Sequence, residues 1–216
     1  EEKILIPTIH QMKRSRRPFR GILYAGLMIT GQGIKVLEYN VRFGDPECQV
    51  LMLRMMSDIV PALLASCDGQ LKNFDVRWFP EPAVTVVMAA KGYPGDYKKD
   101  TRIEGLDDAA KIEGVEIFHA GTTAKDGSIL ANGGRVLNVC AMGKTVLEAQ
   151  QRAYQAVDRI NWPDGFCRRD IAWQAVSIAR ETGIDPGVFE QLDDLRAELD
   201  EYRQPGLTAK NRAVIR

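Results

Sequence analysis

Glu38, Asn40 and Arg42 stand two residues apart in the stretch "VLEYNVRFGDPECQ", residues 36–49. Alternate residues of a strand share a face, so the three would project from one side at intervals of roughly 7 Å. A carboxylate and an amide oxygen are hard donors that suit Mg²⁺, which takes one or two carboxylates from a protein and completes its shell with water and phosphates. A guanidinium beside them can grip a phosphate or carboxylate through two oxygens. The pattern therefore suits a Mg²⁺–nucleotide with an anionic group alongside. Leu37, Tyr39 and Val41 would face the other way, into a core, while Ile34 and Val36 continue the Glu38 face as apolar residues. The polar residues gather where Gly44-Asp45-Pro46 leads into a helix, and a helix start offers free N–H groups to an anion. The same residues also suit the solvated side of a two-faced strand. Asp45 and Glu47 equally suit a first helical turn, where acids offset the dipole.

The elements that must position these groups are legible in outline. Ile4, Leu5, Ile9 and Met12 lie near helical spacing within 1–14. "KRSRRPFR" (13–20) reads as a basic solvated loop, with a phosphate patch as the alternative. "GILYAGLMIT" (21–30) predicts a strand that turns through "GQG" into an antiparallel partner, "IKVLEYN". That Gly-Gln-Gly lacks the third glycine of a dinucleotide fingerprint and sits between strands, not before a helix. A helix is expected from Pro46 or Glu47 to about 56. Ser57 would cap a second one that ends near Cys67-Asp68-Gly69, with Pro61 one turn inside it.

The texture changes after the polar linker "DGQLKNFDVRWFPEP". "AVTVVMAA" (83–90), "VEIFHAGTT" (115–123), "SILA" (128–131) and "RVLNVCAMG" (135–143) predict strands, the last two joined by Asn132-Gly133-Gly134. A helix over 145–160 opens on a capping box, Thr145 with Glu148. The expected organisation is α+β, with domains at 1–68 and 76–172 and a helical tail at 173–216. In the tail, Val188, Leu192, Leu195, Leu199 and Tyr202 form a two-heptad stripe. It reads as a helix docked on its own domain, with an oligomerisation zipper as the alternative.

Lys and Arg total 29, and Asp and Glu also total 29. That balance argues against a nucleic-acid or membrane-surface role. Cys48, Cys67, Cys140 and Cys167 form no CxxC pair, which fits a reduced, cytoplasmic protein. No apolar run has the length of a membrane span, and the first residues are not a signal peptide. The chain opens without Met in an amphipathic pattern, so it is expected to be a piece of something longer.

Glu38-x-Asn40-x-Arg42 resembles the metal-binding strand of the ATP-grasp ligases. The longer "RFGDPECQ" (42–49) is similar to the signature of the phosphoribosylamine–glycine ligases, and "PFRGILYAGLMIT" (18–30) resembles the strand before it. "GYPGDY" (92–97), "FHAGT" (118–122), "NGGRVLNV" (132–139) and "RRDI" (168–171) resemble that family's C-terminal domain, in order and spacing. The resemblance covers about 1–173. It implies the C-terminal portion of an ATP-grasp domain, a small mixed α/β C-terminal domain and a helical tail. It implies a reaction in which ATP phosphorylates glycine and the amine of 5-phosphoribosylamine displaces the phosphate, giving glycinamide ribonucleotide, a step of purine synthesis.

Carried onto this sequence, Glu38 and Asn40 would bind Mg²⁺ or Mn²⁺ and Arg42 would steady the phosphoryl group in transfer. Gly44, Asp45, Pro46 and Glu47 would shape the pocket. Gly121, Thr122, Gly134 and Arg135 would close over the substrates. His119 is read as a packed strand residue with no role. The family's glycine-rich ATP loop and its lysine have no match here, so activity is expected to need a missing N-terminal half. Two other readings are a different ATP-grasp carboxylate–amine ligase and a non-catalytic interaction module on the same fold.

Overall fold

The computed structural model describes residues 2–185 and divides into two units. The heptad stripe at 188–202 lies outside the described residues.

The first unit holds residues 2–48 and 55–78. Helix α1 (Leu5–Arg14) ends on Lys13 and Arg14, cations that suit a helix C-terminus. Strands β1 (Tyr24–Thr30) and β2 (Gly33–Asn40) form an antiparallel ribbon that pairs Tyr24 with Asn40 and Gly26 with Glu38, with a bulge at Gly26/Leu27. Helix α2 (Glu47–Arg54) begins at Glu47. Helix α3 (Ile59–Cys67) follows. Its cap is not Ser57 but Asp58, which accepts the Val60 N–H at 2.9 Å. The Ser57 hydroxyl instead accepts the Arg77 N–H at 2.8 Å. Pro61 is the third residue of α3, within the first turn, where its missing N–H costs nothing.

The alternating pattern of β2 does not translate into a buried face. Leu37, Tyr39 and Val41 are 63, 41 and 71% exposed, and Ile34 and Val36, which the bulge places on the Tyr39 face instead of continuing that of Glu38, are 47 and 41% exposed. Period-2 alternation says which residues share a face only where no bulge interrupts the ladder. It does not say whether another layer covers that face. Among the described residues, Ala62 is the one apolar side chain of this unit that is buried.

The second unit, 49–54 and 79–185 among the described residues, carries the core. Strands β3 (Ala83–Ala90), β5 (Val115–His119), β8 (Arg135–Met142) and β9 (Gly165–Cys167) make an antiparallel sheet in the order β5-β8-β3-β9. Helix α5 (Val146–Arg159) packs on β3 and β8. Ala149, Ala153 and Ala156, all fully buried, let α5 sit close to the layer of Val84, Val86, Met88, Leu137, Val139 and Ala141. A second sheet, β4-β7-β6, joins β4 (Thr101–Ile103), β7 (Ser128–Ala131) and β6 (Thr122–Lys125). Helix α4 (Leu106–Ala110) starts after Gly105, which holds a left-handed φ of 81°.

"VEIFHAGTT" is thus two strands in two sheets, not one. The ladder breaks at Ala120-Gly121, where both N–H groups turn back to Val136 O. Likewise Asn132-Gly133-Gly134 links β7 to β8 across sheets and is not a hairpin turn.

Thr145 caps α5 as its type suggests, accepting the Glu148 N–H at 3.1 Å. Glu148 closes the box one residue early, accepting the N–H of Lys144 at 2.6 Å. A further cap comes from the chain's later part. Asp185 accepts the Val146 N–H at 2.7 Å in a buried bond. Helix α6 (Trp173–Thr182) places Val176, 6% exposed, in the same core. Among the described residues, no helix is long and apolar enough to cross a membrane.

Candidate functional site

The residues singled out by type and those singled out by resemblance fall into two groups, one in each unit. In the first unit, the end of β2 brings Glu38 and Asn40 together, with Asn40 Nδ2 donating to Glu38 Oε1 at 3.1 Å. Gly26 faces Glu38 across the ladder, and a Cβ there would lie 3.1 Å from Glu38 Cγ. The absent side chain leaves the carboxylate room. Arg42 is not on the strand with them, because β2 ends at Asn40 and the backbone bends at 41–42. Its guanidinium folds back and donates to Phe43 O at 2.9 Å. The chain passes through the cis bond Asp45–Pro46 into α2.

Tyr24, which residue-type reasoning did not single out, completes the group. It lies opposite Asn40 in the ladder, and its hydroxyl donates to Glu47 Oε1 at 3.1 Å. Partial burial first, then the carboxylates of Glu47 and Glu38, hold its phenol above the ordinary range, while Arg42 pulls the other way. The hairpin register was the available signal, since a turn at Gly31-Gln32 sets Tyr24 against Asn40. The other carboxylate oxygen of Glu47 lies so close to Gly44 that a Cβ there would collide with it. Gly44 is buried and accepts the Cys48 N–H at 3.0 Å.

Two oxygen ligands on one strand end fit a hard divalent cation that draws most of its shell from elsewhere. The acceptor of the Asn40 amide is free to turn toward a cation, since the amide now donates to Glu38 and the two orientations differ by a flip. Among the described residues, no three His, Cys, Asp or Glu side chains are grouped to hold a metal by themselves.

In the second unit, three loops meet at one end of the main sheet. A Cβ on Gly121 would sit 2.7 Å from Gly133 Cα, and one on Gly134 would enter the Tyr93 ring. Asn132 and Gly133 both donate N–H groups to Gly121 O, at 2.8 and 2.9 Å. Gly121 and Gly134 thus have a packing reason to be glycine, independent of any ligand. Thr122 Oγ1 lies 2.9 Å from His119 Nδ1. His119 is exposed rather than packed. Arg135 opens β8 and is exposed.

Comparison with known proteins separates these arrangements from chance. The model of the phosphoribosylglycinamide synthetase ATP-grasp (A) domain matches residues 1–48, and that of the same enzyme's C domain matches 83–174. The chain belongs to the phosphoribosylglycinamide synthetase family. It is 60% identical to the phosphoribosylamine–glycine ligase of Mesorhizobium japonicum over 178 residues, covering 82% of this chain and 42% of that one. With the Agrobacterium fabrum ligase it shares 53% over 180 residues, 83% of this chain and 42% of that one. The crystal structure of the phosphoribosylamine–glycine ligase of Thermotoga maritima superposes with a TM-score of 0.63 at 36% identity, over 74% of this chain and 39% of that one. A long-chain acyl-CoA carboxylase matches in fold alone, at TM-score 0.53 and 16% identity, over 93% of this chain and 22% of that one. The chain thus spans about two-fifths of the length of these two synthetase relatives. The stretch that residue types had marked for chemistry, 38–47, and the one that the resemblance alone had marked, 121–135, both fall within the matched segments.

Proposed function

We propose that this chain supplies the C-terminal part of an ATP-dependent ligase that joins glycine to 5-phosphoribosylamine, giving glycinamide ribonucleotide, ADP and phosphate. The observation that carries the reading is the Glu38–Asn40 pair at the end of β2, inside the segment matched by the ATP-grasp model and followed in order by the C domain. Glu38 and Asn40 are the residues that would hold Mg²⁺ or Mn²⁺. The ion, when bound, would neutralise charge on the ATP phosphates.

Arg42 would hold the phosphoryl group as it passes to the glycine carboxylate. This is electrostatic clamping, and it requires a guanidinium able to leave Phe43 O. Gly44, Asp45, Pro46 and Glu47 would shape the pocket beside it. Thr122 and Arg135 would contact substrate, with Gly121 and Gly134 setting the loops that carry them. Glycine, 5-phosphoribosylamine and ATP are the substrates of this reading, and a polypeptide carrying the rest of the relatives' length is its partner.

The test mixes the 216-residue chain with the part of the Mesorhizobium ligase that it does not match. Glycine-dependent ADP release that requires phosphoribosylamine is expected from the mixture and not from either piece. The reading fails if the mixture stays inactive while the relative's own C-terminal segment restores turnover in the same assay. Glu38→Gln in an active mixture should abolish it.

A further inference from the structure

Arg42 and Glu47 lie five residues apart on either side of the Gly44-Asp45-Pro46 turn, carry opposite charge and do not pair. A surface Arg and Glu this close along a bent chain would ordinarily find each other, even though such pairs are individually weak. Here each has another engagement. Arg42 donates to the backbone oxygen of Phe43, a neutral acceptor that a stronger anion can outcompete. Glu47 is held from two sides, with one oxygen taking the Tyr24 hydroxyl at 3.1 Å and the other seated against the bare Cα of Gly44.

We propose that Tyr24 is a positioning residue: its hydroxyl, with Gly44 as the seat, keeps the Glu47 carboxylate off Arg42 and so leaves that guanidinium open to an incoming phosphate or acyl phosphate. The role given to Arg42 rests on the ligase reading; the geometry that keeps the two charges apart does not. Three features converge on it. Tyr24 is placed by the β1–β2 register, not by chance rotamer, since it faces Asn40 directly. Gly44 is buried and admits no side chain, which preserves the seat. Burial and the carboxylates of Glu47 and Glu38 raise the Tyr24 phenol, while Arg42 lowers it.

The proposal predicts a suppression, not a simple loss. In Tyr24→Phe the ring still packs, but Glu47 loses its donor and swings to Arg42. In Tyr24→Phe/Glu47→Gln the side chain at 47 carries no charge and cannot sequester the guanidinium. The first measurement uses the 216-residue chain itself, observing the Arg42 side-chain Nε–H by NMR and assigning it by its disappearance in Arg42→Lys. The expected result is a wild-type signal averaged by solvent exchange, a shifted and protected signal in Tyr24→Phe, and return to the wild-type position in the double variant. An Arg42 signal unchanged in Tyr24→Phe, or shifted equally in the single and double variants, overturns the proposal.

The second measurement uses the complemented enzyme. Tyr24→Phe should lose kcat by about 5-fold, the bias an exposed ion pair can impose, with the KM for glycine little changed. Adding Glu47→Gln should recover part of the loss. A purely structural role for Tyr24 predicts the opposite, a double variant slower than the single one. If the complemented wild-type chain has no activity where the relative's own C-terminal segment does, the ligase reading fails, and the NMR result still decides the role of Tyr24.

Discussion

Replacing Asp185 by Ala removes the acceptor that satisfies the first N–H of α5. The bond is 2.7 Å long and buried, and the Val146 side chain beside it is only 6% exposed, so water is poorly placed to substitute. Thr145 cannot compensate, because its hydroxyl already takes Glu148 N–H and its carbonyl takes Ala149 N–H. An orphaned buried donor costs about 1–3 kcal/mol, and a carboxylate at a helix N-terminus adds about 0.3–1 kcal/mol. Asp185→Ala should therefore destabilise the second unit by about 2 kcal/mol. For a unit of this size that lowers Tm by roughly 8–10 °C. Asp185→Asn keeps an acceptor and loses the charge, so its penalty should be about half as large. The assay is thermal unfolding followed by tryptophan fluorescence, since Trp162 is 5% exposed in the same core and its Nε1–H is bound to Thr101. A Tm for Asp185→Ala within about 2 °C of wild type would refute the reasoning. It would mean that α5 is held by its Ala149–Ala153–Ala156 face and that the cap is incidental.

Gly134→Ala drives a methyl into the Tyr93 ring and should cost about 1–3 kcal/mol, the range for overpacking, read as a lower urea midpoint; Tyr93→Ala in the same background should recover part of it. In the complemented enzyme, Arg42→Lys should keep the charge, lose the two-oxygen grip and lower kcat by about 10²–10³-fold with little change in Tm. A variant that melts early yet turns over normally would make Arg42 structural. Burial pushes the Cys140 thiol up to about 11 despite its bond to Thr85. Thiol labelling at pH 8 should therefore reach exposed Cys67 first and Cys140 only on unfolding. The linked effect has a definite sign. The unfolded thiol ionises near 9 and the folded one near 11, so Cys140 should make stability fall as pH rises through that window. Cys140→Ser should flatten that slope.

Much of the second unit was legible because its strands are long and apolar and its main helix carries a capping box. β4, β9 and α4 were not, for an element of three to five residues has no period to read. The break at Ala120-Gly121 was hidden because "VEIFHAGTT" keeps its strand composition on both sides of it. What parts the two strands is a hydrogen-bond switch to Val136 O. At the site, Glu38, Asn40 and Arg42 were found by spacing, yet Arg42 leaves the strand, since alternation cannot foresee where a ladder ends. Tyr24 was missed because its neighbour Glu47 is 23 residues away and the contact exists only once the hairpin and the turn into α2 are both formed. The core expected behind Leu37, Tyr39 and Val41 failed for a different reason: burial belongs to whatever lies opposite, which no single strand encodes.

The bareness of the β1–β2 ribbon has a consequence in the time domain. Its ladder bonds are as regular as those between β3 and β8, yet none of its described side chains is fully buried. Opening β3 from β8 exposes Val86, Leu137 and Val139 together. Amide hydrogens in β3 and β8 should then exchange only through global unfolding, while those of β1 and β2 exchange through cheap local openings. Two ladders of matching geometry would keep very different clocks, and the faster one would mark where a partner's surface has come to rest if the ribbon's amides fall silent in a complex.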